Sequence, residues 1–441
     1  MNARQFPDGF LWGTATAAHQ VEGGNTNNDW WAWEEAGRIK GGDRSLVACD
    51  WWRGERYRGD FDLARALHQN AHRLSIEWSR VEPRAGEWDR EAFAFYRRVL
   101  SALRERGLVP LVTLHHFANP LWVRARGAWE TPAIVPLFER FATQVAHELG
   151  DLCDFWITLN EPMVYAYTGY VNAQWPPGKS DFGLAMRVLV NMLRGHSAAY
   201  RALHRVQPHA RVGIAHNLLA FKPAKPATLN RIVVNAQNQI YNRIFLLALQ
   251  DGRLRLPLGV GRIPEAVGTQ DFIGLNFYFS RRVAVDWRQP GTLFGRTLPA
   301  QPWGVAYDDE LLGWFGKGDI DPDSFYHTLI WLGKYADGKP IYITENGVCD
   351  RNDELRPRYL VAYLAAMWRA IQAGAPVKGY FYWTLVDNFE WIEGYALRFG
   401  LIANDRATQQ RAPKPSAAVY ARIARENALA EELIEQYGFS S

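Results

Sequence analysis

The sequence predicts an α/β protein, a single (β/α)8 TIM barrel over residues 1–441 with elaborated βα loops at its C-terminal face. Three observations predict it. Short apolar, β-branched or aromatic runs alternate with helical patterns along the whole chain. Eight such runs can be counted. Their C-terminal ends deliver polar side chains one after another, as strands converging on one barrel face would. A doubly wound open sheet is the architectural alternative, but the first βα turn has no Gly-rich phosphate loop, which weakens it.

In chain order the strand candidates are FLWGTATA from Phe10, AHRLSIE from Ala71, LVPLVTLH from Leu108, DFWITLNE from Asp154, ARVGIAH from Ala210, DFIGLNFY from Asp271, PIYITENG from Pro340 and VKGYFYWTLVD from Val377. Helical stripes lie between them. Phe93, Tyr96, Leu100 and Leu103 share one face, with Gly107 beyond the end. Phe138, Phe141, Val145 and Leu149 share another, stopping at Gly150, and Leu360, Leu364, Met367 and Ile371 a third. The segment PKPSAAVYARIARENA predicts a closing helix after the eighth strand. The long, Gly-, Pro- and Trp-rich connection from Tyr278 to Pro340 is expected to arch over one end before a helix near residues 323–335.

Composition narrows the function. Hydrophobic residues make up 48% and charged residues 22%, ordinary for a large packed core. A scattered net charge of +4 gives no basic patch for nucleic acid or membrane. No window approaches the ~18 apolar residues of a membrane span, and the N-terminus lacks a signal-peptide core. Cys49, Cys153 and Cys349 have no metal-site spacing and read as free thiols in a reducing compartment, so a cytoplasmic location is expected. Aromatics reach 14%, and many tryptophans sit in polar loops, where a ring can stack on the apolar face of a sugar.

The strand ends, in order, carry Gln20; Arg73 and Glu77; His115 and His116; Asn160 and Glu161; His216 and Asn217; Asn276 and Tyr278; Glu345 and Asn346; and Trp383 with Asp387. Such a ring suits a polyhydroxylated ligand. Adjacent strand residues point to opposite faces, so only one of His115 and His116 can look into the site, which argues against a metal there. Glu161 in TLNEP and Glu345 in ITENG both end strands and can face each other across the mouth. Two carboxyls flanking one bond is the requirement of glycoside hydrolysis, with a gap of ~5–5.5 Å for retention and ~6.5–9.5 Å for inversion. A nucleophile must stay ionised, and Arg73 and Tyr278 are candidate donors to Glu345. Glu161, in less polar surroundings, would be the acid and then the base. Glu77, Asp387 and His216 read as buried network members, and Trp12, Trp78 and Trp156 as packing.

At these residues the chain resembles the family 1 glycoside hydrolases, the retaining β-glucosidase and β-galactosidase group. The likeness runs from FLWGTATAAHQVEG through HRLSIEWSR, TLNEP and ITENG to WTLVDNFEWIEGYALRFGL. It implies a retaining, exo-acting O-glycosidase for a small β-glycoside, without metal or cofactor. Glu345 would be the nucleophile and Glu161 the acid/base. Asn160 would bind the sugar's 2-hydroxyl, and Gln20, His116, Glu390 and Trp391 the other hydroxyls. Trp383 would form the floor and Phe399 a wall, while Arg73, Asn276 and Tyr278 would support the nucleophile. Members acting on 6-phosphorylated sugars have a Ser where Glu390 stands and Lys-x-Tyr where Leu397 and Phe399 stand, so an anionic Glu390 implies an unphosphorylated substrate. Two segments depart from the family pattern: HFANP, with Phe117 and Ala118, and GWFGKGDIDPDSF. The five tryptophans of residues 30–52 are expected to serve an extended or hydrophobic aglycone. Hydrolysis and transfer to another acceptor share the same intermediate, and gluco, galacto and fuco preference stay open.

Overall fold

The computed structural model describes residues 3–301, 303 and 318–438. Eight strands close a parallel barrel. They are β1 (Leu11–Ala15), β2 (Ala71–Ser75), β3 (Val109–His115), β4 (Phe155–Asn160), β5 (Arg211–Asn217), β6 (Phe272–Asn276), β7 (Ile341–Asn346) and β8 (Val377–Trp383). Seven fall within the runs expected from the sequence, β5 runs one residue past its own to Asn217, and β8 pairs back onto β1 to complete the ring. Every residue of β2, β4, β6 and β7 is buried. A parallel sheet covered by helices has no solvent face, so its strands carry apolar runs with little alternation, while β2 buries His72, Arg73 and Ser75 among them.

The helices follow the predicted stripes. Arg90–Glu105 starts at Asp89, whose carboxylate accepts from the Glu91 and Ala92 N–H groups, and it buries Phe93, Tyr96, Leu100 and Leu103. Ile134–Leu149 buries Phe138, Phe141, Val145 and Leu149, and Arg356–Gln372 buries Leu360, Leu364 and Met367. Full burial of side chains of this size contributes about 1.5–3 kcal/mol each. The closing helix Pro415–Glu426 is tied to the barrel by the Tyr420 hydroxyl, which donates to Gly13 O at 2.7 Å. At the N-terminal end of the barrel, Phe155, Phe272 and Tyr342 pack edge to face.

One substructure was not legible in the sequence. A three-stranded sheet of Gly295–Thr297, Ser280–Val285 and Ala220–Pro223 continues from the ends of β5 and β6. Helix Thr228–Gln237 packs on it through a small separate core of Val233, Val234 and Val283. Ala220–Pro223 and Gly295–Thr297 are too short for a pattern, and Ser280–Val285 carries two arginines in place of an apolar run. The same helix runs through a π-helical stretch, Asn238–Arg243, into Ile244–Asp251. The helix expected near residues 323–335 spans Pro322–Ala336. Residues 302 and 304–317 of the connection before it, including the first residues of GWFGKGDIDPDSF, lie outside the described residues.

The register sets the functional level of the barrel. Asn217 pairs with Asn276, and Asn276 with Glu345, so three consecutive strands end at one height. The β6–β7 register shifts between Leu275 and Asn276. Such irregularities re-aim side chains at barrel rims. Among the described residues no helix is long and apolar enough to cross a membrane. All three cysteines are buried and none is in a disulfide.

Candidate active site

Glu161 occupies the single residue between β4 and helix Pro162–Tyr170. Pro162 at the first helical position has its φ preset for a helix, so the chain must turn entirely at Glu161. That residue takes a left-handed backbone, φ +46°. For a residue with a Cβ this costs about 1–2 kcal/mol, and strain of this kind collects at functional sites. Glu345 lies near the end of β7, followed two residues on by Gly347. A Cβ at Gly347 would sit 2.0 Å from Trp383 O. The glycine therefore lets β7 close against the end of β8, and the breakers in TLNEP and ITENG each have a mechanical reason.

The two carboxyls are both buried, Glu161 6% and Glu345 4% exposed, yet their partners differ. Glu345 Oε1 accepts from Arg73 Nη1 at 2.6 Å, and Oε2 accepts from the Tyr278 hydroxyl at 2.5 Å. Arg73 is itself fully buried and holds its plane by donating to Thr113 Oγ1, Thr344 O and Asn160 Oδ1. Glu161 receives only neutral amides: Asn276 Nδ2 at 2.7 Å and Asn217 Nδ2 at 3.3 Å on Oε1. Burial raises both pKa values. The charge of Glu345 pushes Glu161 further up, whereas Arg73 and the Tyr278 hydroxyl pull Glu345 back down. The proton therefore belongs to Glu161 and the charge to Glu345.

Both open into a cavity of about 510 Å³ whose lining also includes His116, Tyr278, Trp383, Glu390, Trp391 and Phe399. Trp383 Nε1 donates to Glu390 Oε1 at 3.0 Å. The ring of His116 stacks on Trp391 with centroids 5.9 Å apart. Gln20, Arg73, Asn160 and Asn276 are fully buried beneath this lining. Gln20 Nε2 donates to Phe389 O at 2.7 Å, leaving its Oε1 without a partner. Asn160 Oδ1 accepts from Arg73 and Asn276, and its Nδ2 faces His116 Nε2 at 3.2 Å.

Asn276, expected to support the nucleophile, lowers the pKa of Glu345 and also donates to Glu161 Oε1, so it serves both carboxyls. Two expectations are corrected. Glu390, expected to be an anion, has its pKa raised well above the ordinary glutamate value, first by burial. The tryptophans of residues 30–52 are absent from the cavity lining. Trp30 is buried behind Trp391, ring centroids 4.6 Å apart, and supports the wall rather than forming it.

Other expectations agree with the structure. His115 faces away, and its Nε2 accepts from Trp129 Nε1 at 3.1 Å. Asp387 pairs with Lys414, and His216 meets Gln270. Trp12, Trp78 and Trp156 are buried, their indole N–H groups satisfied by Asn427, Glu82 and Gln207. Two contributors had no assigned role. Asn217 was visible as a strand end, and it holds Glu161. Tyr241, which donates to Asn217 Oδ1 at 2.9 Å, sits on the π-helical stretch, where strand-end logic does not reach.

The sequence model of Glycosyl hydrolase family 1 matches residues 2–255 and 262–429. Beta-glucosidase A of Thermotoga maritima is 33% identical, the match covering 97% of this chain and 100% of that protein. The structure of a beta-glycosidase from Pyrococcus horikoshii superposes with a TM-score of 0.91 at 36% identity, covering 100% of this chain and 99% of that one. The Thermotoga maritima beta-glucosidase in complex with glucoimidazole superposes with a TM-score of 0.87 at 30% identity, covering 97% and 100%. With its closed barrel and paired strand-end glutamates, this chain belongs to glycosyl hydrolase family 1.

Proposed function

We propose that this protein is a retaining, exo-acting β-glycosidase that hydrolyses the terminal β-D-glucosyl residue of unphosphorylated O-glycosides, with galactosyl and fucosyl residues also accepted. The observation that carries this reading is the unequal pair: one buried glutamate held ionised by Arg73 and Tyr278, the other held protonated by burial and the first one's charge. The glucoimidazole complex of the Thermotoga maritima relative supports the gluco configuration. The three buried thiols, none in a disulfide, support a cytoplasmic location.

In the first step a Glu345 oxygen attacks the anomeric carbon while Glu161 gives its proton to the glycosidic oxygen. The C–O bond breaks and the aglycone leaves as an alcohol. The ester so formed cancels the charge on Glu345, which removes the repulsion that raised the Glu161 pKa. Glu161, now a carboxylate, takes a proton from water. That water attacks the anomeric carbon and frees Glu345. Gln20, His116, Asn160, Glu390 and Trp391 would bind the sugar's hydroxyls, with Trp383 as floor and Phe399 as wall. Arg73 and Tyr278 would keep the nucleophile charged, and Asn276 would hold the spacing between the two carboxyls. The reading invokes no metal or cofactor.

The test is NMR of 4-nitrophenyl β-D-glucoside hydrolysis. β-Glucose formed first is expected. α-Glucose formed first, or no hydrolysis, would overturn the reading.

A further inference from the structure

Four large apolar side chains stand exposed on one substructure, the small three-stranded sheet and its helix. Leu229 and Ile232, three apart on helix Thr228–Gln237, are 54% and 58% exposed. Residues three apart share a helix face, and this one is turned away from the small core of Val233, Val234 and Val283. On the sheet, Trp287 is 65% and Phe294 38% exposed. They flank the turn that joins Ser280–Val285 to Gly295–Thr297, with ring centroids 5.4 Å apart. Helix and turn are neighbours, since Asn230 Oδ1 accepts from Val285 N at 3.0 Å. None of the four lines the active-site cavity.

A single exposed apolar residue is ordinary, whereas a cluster marks an interaction surface. Leu229, Ile232 and Trp287 are more than half exposed, so they stand proud of the surface and line no groove. A folded partner would need a matching pocket for each. The headgroup layer of a bilayer takes such side chains wherever they fall, and Trp is enriched there.

The surrounding charge is positive. Lys225 and Arg231 stand on either side of Leu229 in the chain and are exposed. Between Asp181 and Asp251 there are nine Lys or Arg and no Asp or Glu, so this segment supplies no carboxylate to offset them. On the turn, Arg288 and Arg296 share one carboxylate, Asp286, at 3.0 and 3.6 Å. Two copies meeting symmetrically through this surface would bring these cations together, which disfavours a dimer. An anionic surface gains from them instead.

We propose that this surface docks the protein on an anionic phospholipid bilayer. Leu229, Ile232, Trp287 and Phe294 enter the headgroup layer, and Lys225, Arg231, Arg288 and Arg296 meet the lipid charge. The docking is peripheral, because among the described residues no helix is long and apolar enough to cross a membrane. Scattered charge led to the expectation of no membrane contact; the fold gathers cations that the total of +4 hides. Each basic residue held near an anionic surface strengthens binding about fivefold, and apolar insertion adds to it.

The experiment is co-sedimentation of the full chain with vesicles of phosphatidylcholine alone and of phosphatidylcholine mixed with phosphatidylglycerol. Partitioning is expected to be about 10- to 100-fold stronger with the anionic vesicles and to fall as salt rises. Ile232→Ser with Trp287→Ser should weaken it about tenfold or more. Arg231→Glu with Arg288→Glu should remove the preference for anionic vesicles. All four positions are exposed, and matching thermal unfolding curves show that the variants fold; if a pair does not, its two single variants take its place. No sedimentation of the wild-type protein, equal sedimentation with both vesicles, or binding that survives both pairs overturns the proposal. A solution dimer that Ile232→Ser with Trp287→Ser dissolves, without vesicle binding, gives the surface to a second copy and overturns it too. The glycosidase reading stands or falls separately, on the sugar released.

Discussion

The hydroxyl of Tyr278 lies 2.5 Å from Glu345 Oε2, on the oxygen that Arg73 does not reach. The carboxylate is thus held from both sides, and each hold favours its charge. A hydrogen bond to a charged group contributes about 1.5–3 kcal/mol. Tyr278→Phe is expected to lower kcat/KM by roughly 10- to 100-fold. Losing a donor to the anion raises the Glu345 pKa, so the acid limb of the pH profile moves to higher pH. An acid limb at its original position would show that the tyrosine does not act on Glu345.

The two glutamates should fail differently. Glu345→Gly removes the nucleophile and is expected to abolish turnover of every substrate, with azide restoring release of nitrophenol and giving the α-glycosyl azide. Glu161→Gln removes the acid, worth about 10²–10⁴-fold. It should spare dinitrophenyl glucoside in the first step, because that leaving group needs no proton, and it should erase the alkaline limb. Equal losses on good and poor leaving groups would contradict the assignment.

Glu390 should reject a phosphorylated sugar for a reason of solvation. It is 8% exposed, its pKa is raised by burial, and it accepts from Trp383. A 6-phosphate here would face a buried carboxyl in place of a cation. Glucose 6-phosphate glycosides are expected to react at least about 100-fold more slowly than plain glucosides, in line with a buried unpaired charge costing several kcal/mol. A preference for the phosphorylated substrate in a kcat/KM comparison would refute this.

Acid should weaken the fold through buried neutral histidines. His72 is fully buried, and burial lowers its pKa to about 3; it meets the hydroxyls of Thr14 and Thr16. Unfolded, it titrates near 6.5. Between those values the unfolded chain binds the extra proton, so stability is present above pH 6.5 and lost as pH falls. The loss is about 1.4 kcal/mol per pH unit well below 6.5. Between pH 7 and pH 5 the urea midpoint of His72→Gln should change by less in the destabilising direction than that of the wild-type protein. Identical slopes in the two proteins would rule His72 out.

Much of this was readable from residues alone, and the reason is local. A covered parallel strand must be apolar along its length, so all eight strands of the barrel announced themselves. A strand that ends on a glutamate and a breaker, twice, told where the barrel's chemistry lies. The small sheet around Ser280–Val285 did not, because its two partner strands are too short for a pattern and Ser280–Val285 itself carries two arginines.

The sequence by itself determined the barrel, its open face and the pair Glu161 and Glu345, since each depends on residue types at fixed spacing along the chain. Only the tertiary structure decided which neighbour acts on which. Asn276 turned to Glu161 through a shift in register, Trp30 became support for Trp391, and Tyr241 reached Asn217 from a distant helix. Those outcomes depend on distances between segments far apart in the chain, and burial then changes the protonation of whatever is brought together.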